Sequence, residues 1–302
     1  MPTNKEKLQT LRQRIDAIDE SIHELIMKRT DVVEEVRLVK HGEKIKIRPA
    51  REAEILYKLM ARHKGPFPKQ ELARVWRELI VATLRFEGPF SVAVNIIKNE
   101  TGYWDLARDQ YGSFTPTTQH TSSQSVVEAV LTHQATIGIL PMPQNKDADT
   151  WWPLLISKNT FSVRIMARLP FIPGDNANHL KGLNALVIST VPQEKTGRDH
   201  TYLGFYSKEK VGFDVIKEKI SRYGYSIVFQ QQIFDPEKSE PWMFLLEIEG
   251  FIDEDGDKFK YIMNDLANNF IKVLHLGGYA TPLQPLEVIN TMSSISEERN
   301  KQ

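Results

Sequence analysis

Leu8-Gln9-Thr10-Leu11-Arg12-Gln13-Arg14-Ile15-Asp16-Ala17-Ile18-Asp19-Glu20-Ser21-Ile22-His23-Glu24-Leu25 is the stretch that decides how the chain begins to fold. Its apolar residues recur at steps of three and four: Leu8, Leu11, Ile15, Ile18, Ile22 and Leu25, with Val32, Val36 and Val39 beyond. That alternation is the seam of a coiled-coil-like helix. Nothing breaks it before Gly42, so the spacing predicts one helix over 5–41. At ~1.5 Å per residue such a helix is on the order of 55 Å long, far longer than a compact domain of this size is wide. Two shorter helices, expected over 49–63 and 69–87, cannot cover the seam alone. A second copy of the chain can.

Working outward, Gly88-Pro89 ends the helical pattern. Short β-rich runs follow, such as Phe90-Ser91-Val92-Ala93-Val94 and Ile137-Gly138-Ile139-Leu140. A second boundary falls near 192–199, where Pro, Gly and charge replace apolar residues. The pattern predicts a multidomain chain: an all-α three-helix unit at 1–88, an α/β unit at 89–198, an α+β unit at 199–285 and a polar tail at 286–302.

Composition narrows the function. The 302 residues hold 41% apolar and 26% charged side chains, an ordinary globular balance. Lys plus Arg and Asp plus Glu number 39 each, which gives no general field to attract nucleic acid or an acidic membrane. There is no cysteine, which excludes disulfides, thiolate metal sites and cysteine nucleophiles. The first residues lack a secretory pattern and no apolar run approaches the ~20 residues of a membrane helix, so the expected compartment is the cytoplasm. Walker, dinucleotide-glycine, Gly-x-Ser-x-Gly and His-Glu-x-x-His motifs are missing. No metal or organic cofactor is expected.

Several charges stand on apolar stripes. Arg29 falls where the seam between Leu25 and Val32 calls for an apolar residue, and Lys40 projects from nearly the same face about three turns on. Glu52 stacks with Ile55, Leu56 and Leu59, while Thr83 and Glu87 continue the stripe Leu72, Trp76, Leu79, Ile80. A lone buried charge is unfavourable, so these groups should pair with one another or meet a ligand. A structural ion-pair network, Arg29 and Lys40 against Glu52 and Glu87, is one outcome; a binding pocket is the other.

The residues Leu11–Asp19, Lys28-Arg29 and Val39-Lys40, then Arg48-Pro49-Ala50-Arg51-Glu52-Ala53-Glu54-Ile55-Leu56, then Trp76-Arg77-Glu78-Leu79-Ile80 through Glu87, resemble the three helices of the all-helical chorismate mutases. The likeness is to the mutase half of bifunctional chorismate mutase–prephenate dehydratases. It implies the Claisen rearrangement of chorismate to prephenate, a unimolecular step that needs a held conformer and stabilised charge. It also implies roles. Arg29 takes one substrate carboxylate and Arg12, from the other subunit of a homodimer, takes the second. Lys40 donates to the breaking ether oxygen, Glu52 accepts from the hydroxyl, Arg51 orients the carboxylate cluster and Thr83 donates near a carboxylate. Glu87 stands where a common form of the family has Gln, and a carboxyl can donate to the ether oxygen only when protonated. Activity should then fall as pH rises.

Residues 90–188 resemble part of a prephenate dehydratase domain. Where relatives have Pro-Ile-Glu-Asn-Ser, this chain has Pro141-Met142-Pro143-Gln144-Asn145. The span from Pro173 to Asn184 is too short for the family's second lobe, and Gly182-Leu183-Asn184 stand in place of the catalytic Thr-Arg-Phe. The expectation is no dehydratase activity. Trp151-Trp152-Pro153 is expected to cap a core or touch a neighbouring domain. Residues 200–282 read as βαββαβ, with strands over 201–206, 225–234, 242–249 and 278–280 and helices over 209–223 and 258–273, and resemble the ACT domain that ends the dehydratases. Gly212 persists in its first strand–helix loop, but Gln231-Gln232-Ile233-Phe234 replace the effector motif Glu-Ser-Arg-Pro. A phenylalanine or tyrosine effector is therefore a weak expectation beside a domain kept for contacts. The alternatives to a monofunctional mutase are the full bifunctional enzyme and a non-catalytic dimeric regulatory or binding protein.

Overall fold

The structure, a computed structural model, describes residues 3–39, 47–96, 102–144, 150–156, 162–173, 182–237 and 241–288, with the side chains of 85–87 left aside. Three helices come first: α1 (Asn4–Val39), α2 (Pro49–Arg62) and α3 (Lys69–Glu87). Pro49 opens α2 at a position where its missing N–H is no loss. Gly88, at φ 150°, ends α3. The expected end of the first helix near Gly42 lies outside the described residues.

The three helices differ in what they bury. α1 has no buried residue. α2 buries Ala50, Ala53, Leu56, Leu59 and Met60, and these pack with Ala73 of α3 onto Phe171, Ile172, Ala280, Leu283 and Val288 from later in the chain. α3 buries Ala73, Arg77, Ile80, Val81, Thr83 and Leu84. The stripe expected from Leu72 and Trp76 is therefore displaced by one position. The cause is the partner: α3 packs on α2 and α4 as well as α1, and Leu84 joins the apolar cluster of the sheet residues Val92, Val94 and Ile137.

The remainder is built on a nine-stranded sheet, order β2-β1-β3-β5-β4-β9-β6-β8-β7. Its first part holds β1 (Val92–Asn95), α4 (Gly102–Tyr111), β2 (Thr117–His120), α5 (Ser123–Leu131), β3 (Ile137–Pro141), α6 (Trp152–Ile156), β4 (Arg164–Leu169) and β5 (Ala185–Ser189). β2, β1 and β3 run parallel, and β5 lies antiparallel between β3 and β4. This is a single α/β layer, and the eight residues 174–181 outside the described set are too few for a second lobe.

The last part has the expected βαββαβ order: β6 (Asp199–Ser207), α7 (Phe213–Arg222), β7 (Ser226–Phe234), β8 (Trp242–Glu249), α8 (Asp257–Leu266) and β9 (Lys272–Ala280). The first helix starts at Phe213 rather than 209, and the largest difference comes at the last helix and strand. The second helix, expected to reach Val273, stops at Leu266, and Lys272 already pairs with Tyr206 in a nine-residue strand. The strand continues because Val273 joins the apolar core under α7 and α8. The first residues of the expected polar tail are packed too: Pro285–Val288 form a short helix, α9, with Val288 buried.

The two halves of the sheet meet at Ile165 and Gly277. Gly277 sits at φ 89°, and a Cβ there would come 2.2 Å from the Ile165 carbonyl oxygen. A Cβ on Gly278 would come 2.0 Å from the His200 carbonyl oxygen. This pair of glycines is what lets the strands approach. No helix among the described residues is long and apolar enough to cross a membrane.

Candidate active site

The site expected on the helical unit has its two carboxylate-binding arginines on α1. Arg12 is exposed. Arg29 is half-buried and donates from Nη1 to the Leu79 carbonyl of α3 at 3.3 Å. Burial lowers its pKa below the ordinary arginine value. Seventeen residues of straight helix separate the two, ~25 Å along the axis. One chain therefore cannot bring Arg12 and Arg29 to the same small dianion.

The other expected residues are dispersed. Arg51 is exposed and pairs with Glu54 one turn on, at 3.2 Å. Such a surface pair contributes little. Thr83 is buried and returns its hydroxyl to its own helix, at 2.8 Å from the Ile80 carbonyl and 3.2 Å from that of Leu79. Lys40 and the side chain of Glu87 lie outside the described residues. The expected network of Arg29 and Lys40 against Glu52 and Glu87 is corrected in the part that can be seen. Arg29 binds a backbone carbonyl, and no ion pair joins it to Glu52 among the described residues.

Glu52 turns instead toward α3 and α4. Its Oε1 is buried without a hydrogen-bond partner. Burial pushes its pKa up to about 7, and the nearby Arg77 guanidinium only partly opposes this. Arg77 is itself 7% exposed. Its pKa is pulled down to about 10, first by burial and then by Arg74, against the pull of Asp109, Glu52 and Glu78. Reading the sequence overlooked Arg77. Its signal was the spacing Ala73, Arg77, Ile80, Leu84, a four-three-four stripe with a cation in it.

Among the later residues, Glu247 is the most connected buried acid. It accepts from Tyr202 at 2.7 Å and Tyr279 at 2.5 Å, and lies 2.9 Å from His200 Nδ1. Although burial alone would raise its pKa, these three donors hold it below the ordinary value. Trp152 does touch a neighbouring unit: its indole N–H donates to Gln231 of β7 at 2.8 Å, and Gln231 donates to the Gln144 carbonyl at 2.7 Å. Gln231, a residue that replaces the effector motif, is thus occupied in joining two parts of the chain.

Residues 11–88 match the family described as chorismate mutase type II. A curated bifunctional chorismate mutase/prephenate dehydratase of Stutzerimonas stutzeri is 39% identical over 94 residues, 29% of this chain and 26% of that protein. One of the same description from Pseudomonas aeruginosa is 30% identical over 150 residues, 48% of this chain and 41% of that protein. The matched lengths thus span only about a quarter to two fifths of those relatives. Since 48% of the chain exceeds what its first 88 residues can supply, the likeness continues past the helices. A solved prephenate dehydratase from Arthrobacter aurescens, in complex with L-Phe, overlaps 70% of this chain and 98% of its own at 11% identity and a TM-score of 0.47. The likeness to chorismate mutase type II thus covers residues 11–88, and an α/β region on one nine-stranded sheet follows it.

Proposed function

We propose that two copies of this chain pair through α1 and catalyse the rearrangement of chorismate to prephenate, without dehydratase activity. The observation that carries this reading is α1 itself. Its seam residues Leu8, Leu11, Ile15, Ile18, Ile22, Leu25, Val32, Val36 and Val39 are all exposed in the single chain. A continuous apolar seam of this length belongs against a partner.

The geometry of such a pair fits the chemistry. The midpoint between Arg12 and Arg29 falls between residues 20 and 21, and the midpoint of α1 falls between 21 and 22. A two-fold axis near the helix centre, with the helices antiparallel, uses the whole seam and sets each Arg12 against the partner's Arg29. Two such cationic pairs make two sites, each able to hold a dicarboxylate. Fixing the folded substrate and stabilising the charge on the breaking ether oxygen is what this reaction requires. Lys40, Glu52, Arg51, Thr83 and Glu87 take the remaining roles carried by the family motif. In this reading the degenerate motif at 141–145 and the single sheet layer leave the region after 89 as scaffold. The βαββαβ unit is ACT-like, and a phenylalanine or tyrosine effector would have to bind without its usual motif.

One observation favours a second reading. Glu52 faces Arg77 rather than α1, as it would if the helices served only to dimerise a non-catalytic regulatory protein. Loss of chorismate absorbance with the purified chain separates the two. Turnover that drops by about 10²–10³ in Arg29→Ala is expected for removal of a preorganised charge. No turnover across pH 5–8 would leave the binding protein, and phenylpyruvate made from prephenate above the spontaneous rate would restore the bifunctional enzyme.

A further inference from the structure

Where α2, α3, α4 and β4 meet, they enclose a cavity of about 20 Å³. Glu52, Arg77, Gln110 and Arg168 line it, among apolar side chains such as Leu56 and Phe171. Five polar atoms of these residues are buried without a hydrogen-bond partner: Glu52 Oε1, Arg77 Nε and Nη2, Gln110 Oε1 and Arg168 Nε. Three of the five are guanidinium donors. The remaining terminal nitrogen of Arg77 donates to the Asp109 carbonyl at 2.9 Å. Arg168 donates to Tyr279 at 3.2 Å and to Asn184 at 3.3 Å.

On the cavity wall itself two cations face one acid, since Asp109 and Glu78, which also act on Arg77, are exposed and lie off the wall. Arg77 and Arg168 bring two cations. Glu52 is their nearest acid on the cavity wall, and its burial favours the neutral form. The carboxylate that balances Arg168, Glu247, lies one tyrosine away. Buried guanidinium donors without acceptors, facing a partly neutral acid, are unfavourable. A water would satisfy some donors but supply no charge. The space admits one or two water-sized groups, which excludes a substrate or an amino acid larger than a few atoms.

We propose that this cavity binds one small monovalent anion, chloride or formate in size, on the free N–H groups of Arg77 and Arg168, and that the anion fastens α2 and α3 to the sheet. The site lies away from the α1 seam but shares Glu52 with the mutase reading, so its test reads anion binding and stability rather than turnover. Gln110→Glu would place a tethered carboxylate beside the same donors and replace the ligand.

The test uses the full chain exchanged into methanesulfonate, an anion too large for the cavity, at constant ionic strength. Chloride should broaden its own NMR line on binding, formate should displace it, and the thermal midpoint should rise saturably with chloride. Gln110→Glu should abolish both responses while matching the chloride-bound midpoint, and Arg77→Met should abolish them with a lower midpoint. If the wild-type chloride line shows no formate-displaceable broadening, or the midpoint is equal in chloride and methanesulfonate, the cavity holds water alone and the proposal fails. The wild-type measurements decide this even where a variant does not fold.

Discussion

α1 and the β6–β8–β9 strands use apolar residues in similar supply and end in opposite states. In the strands, Leu203, Phe205, Phe244 and Leu246 are wholly buried under α7 and α8. In α1 the seam residues remain open, Ile18 at 58% exposure and Leu25 at 63%. The strands find their cover within the one chain, from α7 and α8 on one face and from Trp151, Trp152, Leu155 and Ile156 on the other. A single 36-residue helix cannot, because its length exceeds anything α2 and α3 can span, and those two helices are already docked elsewhere. The difference teaches that the single chain leaves the α1 seam uncovered, where the proposed second copy would sit, whereas the C-terminal strands are covered within the one chain.

Breaking the comparison at the seam should have the largest effect. Ile18→Lys costs little in a lone chain, since the side chain is already exposed. In a dimer it places two charges at the centre of the interface. Light scattering should show the mass halved, and turnover should be lost with it, while the βαββαβ unit unfolds as before. Phe244→Ala probes the other side: about 3–5 kcal/mol of stability should go, at any protein concentration. If Ile18→Lys leaves mass and turnover intact, the seam is not an interface.

Glu52 supplies a smaller and pH-dependent effect. Its folded pKa of about 7 lies above the ordinary 4.5, so the folded chain holds this proton where the unfolded chain releases it. The stability from this group is complete below about pH 4.5 and is lost as pH rises to about 7, by up to ~3 kcal/mol. Denaturant titrations at pH 5 and pH 8 should show this loss, and Glu52→Gln should remove it. A variant with the same slope would assign the pH dependence to another group. Glu87→Gln is the mildest test. It should flatten a turnover profile that otherwise falls with rising pH, because an amide donates at every pH. An unchanged profile would remove Glu87 from the ether oxygen.

Much of this was legible in the sequence, for a physical reason. Periodicity reports which face is apolar, so α1, α2, α3 and the βαββαβ order could be read directly. It does not report which neighbour covers that face. The stripe on α3 was therefore displaced by one residue, and Arg77 went unnoticed. The same limit hid β9: Lys272-Val273 follows a helical pattern closely enough to extend it, and only pairing with Tyr206 and Val273's place in the core make it a strand. Motif singled out the candidate site residues but not their grouping. In the proposed dimer Arg12 and Arg29 meet across two chains, and Glu52 shares a cavity with Arg77, Gln110 and Arg168, which come from three different elements.

The most direct test of a mutase completed by a second copy is complementation. Arg12→Ala and Arg29→Ala chains should each be inactive alone, because each homodimer carries one damaged residue in both sites. Mixed under exchange conditions, half of the dimers pair one of each, and every such dimer has one intact site and one doubly damaged site. Chorismate turnover should then return to about a quarter of the wild-type rate. Exchange verified by mass, with no activity recovered, would contradict the shared site; so would full activity of either variant on its own.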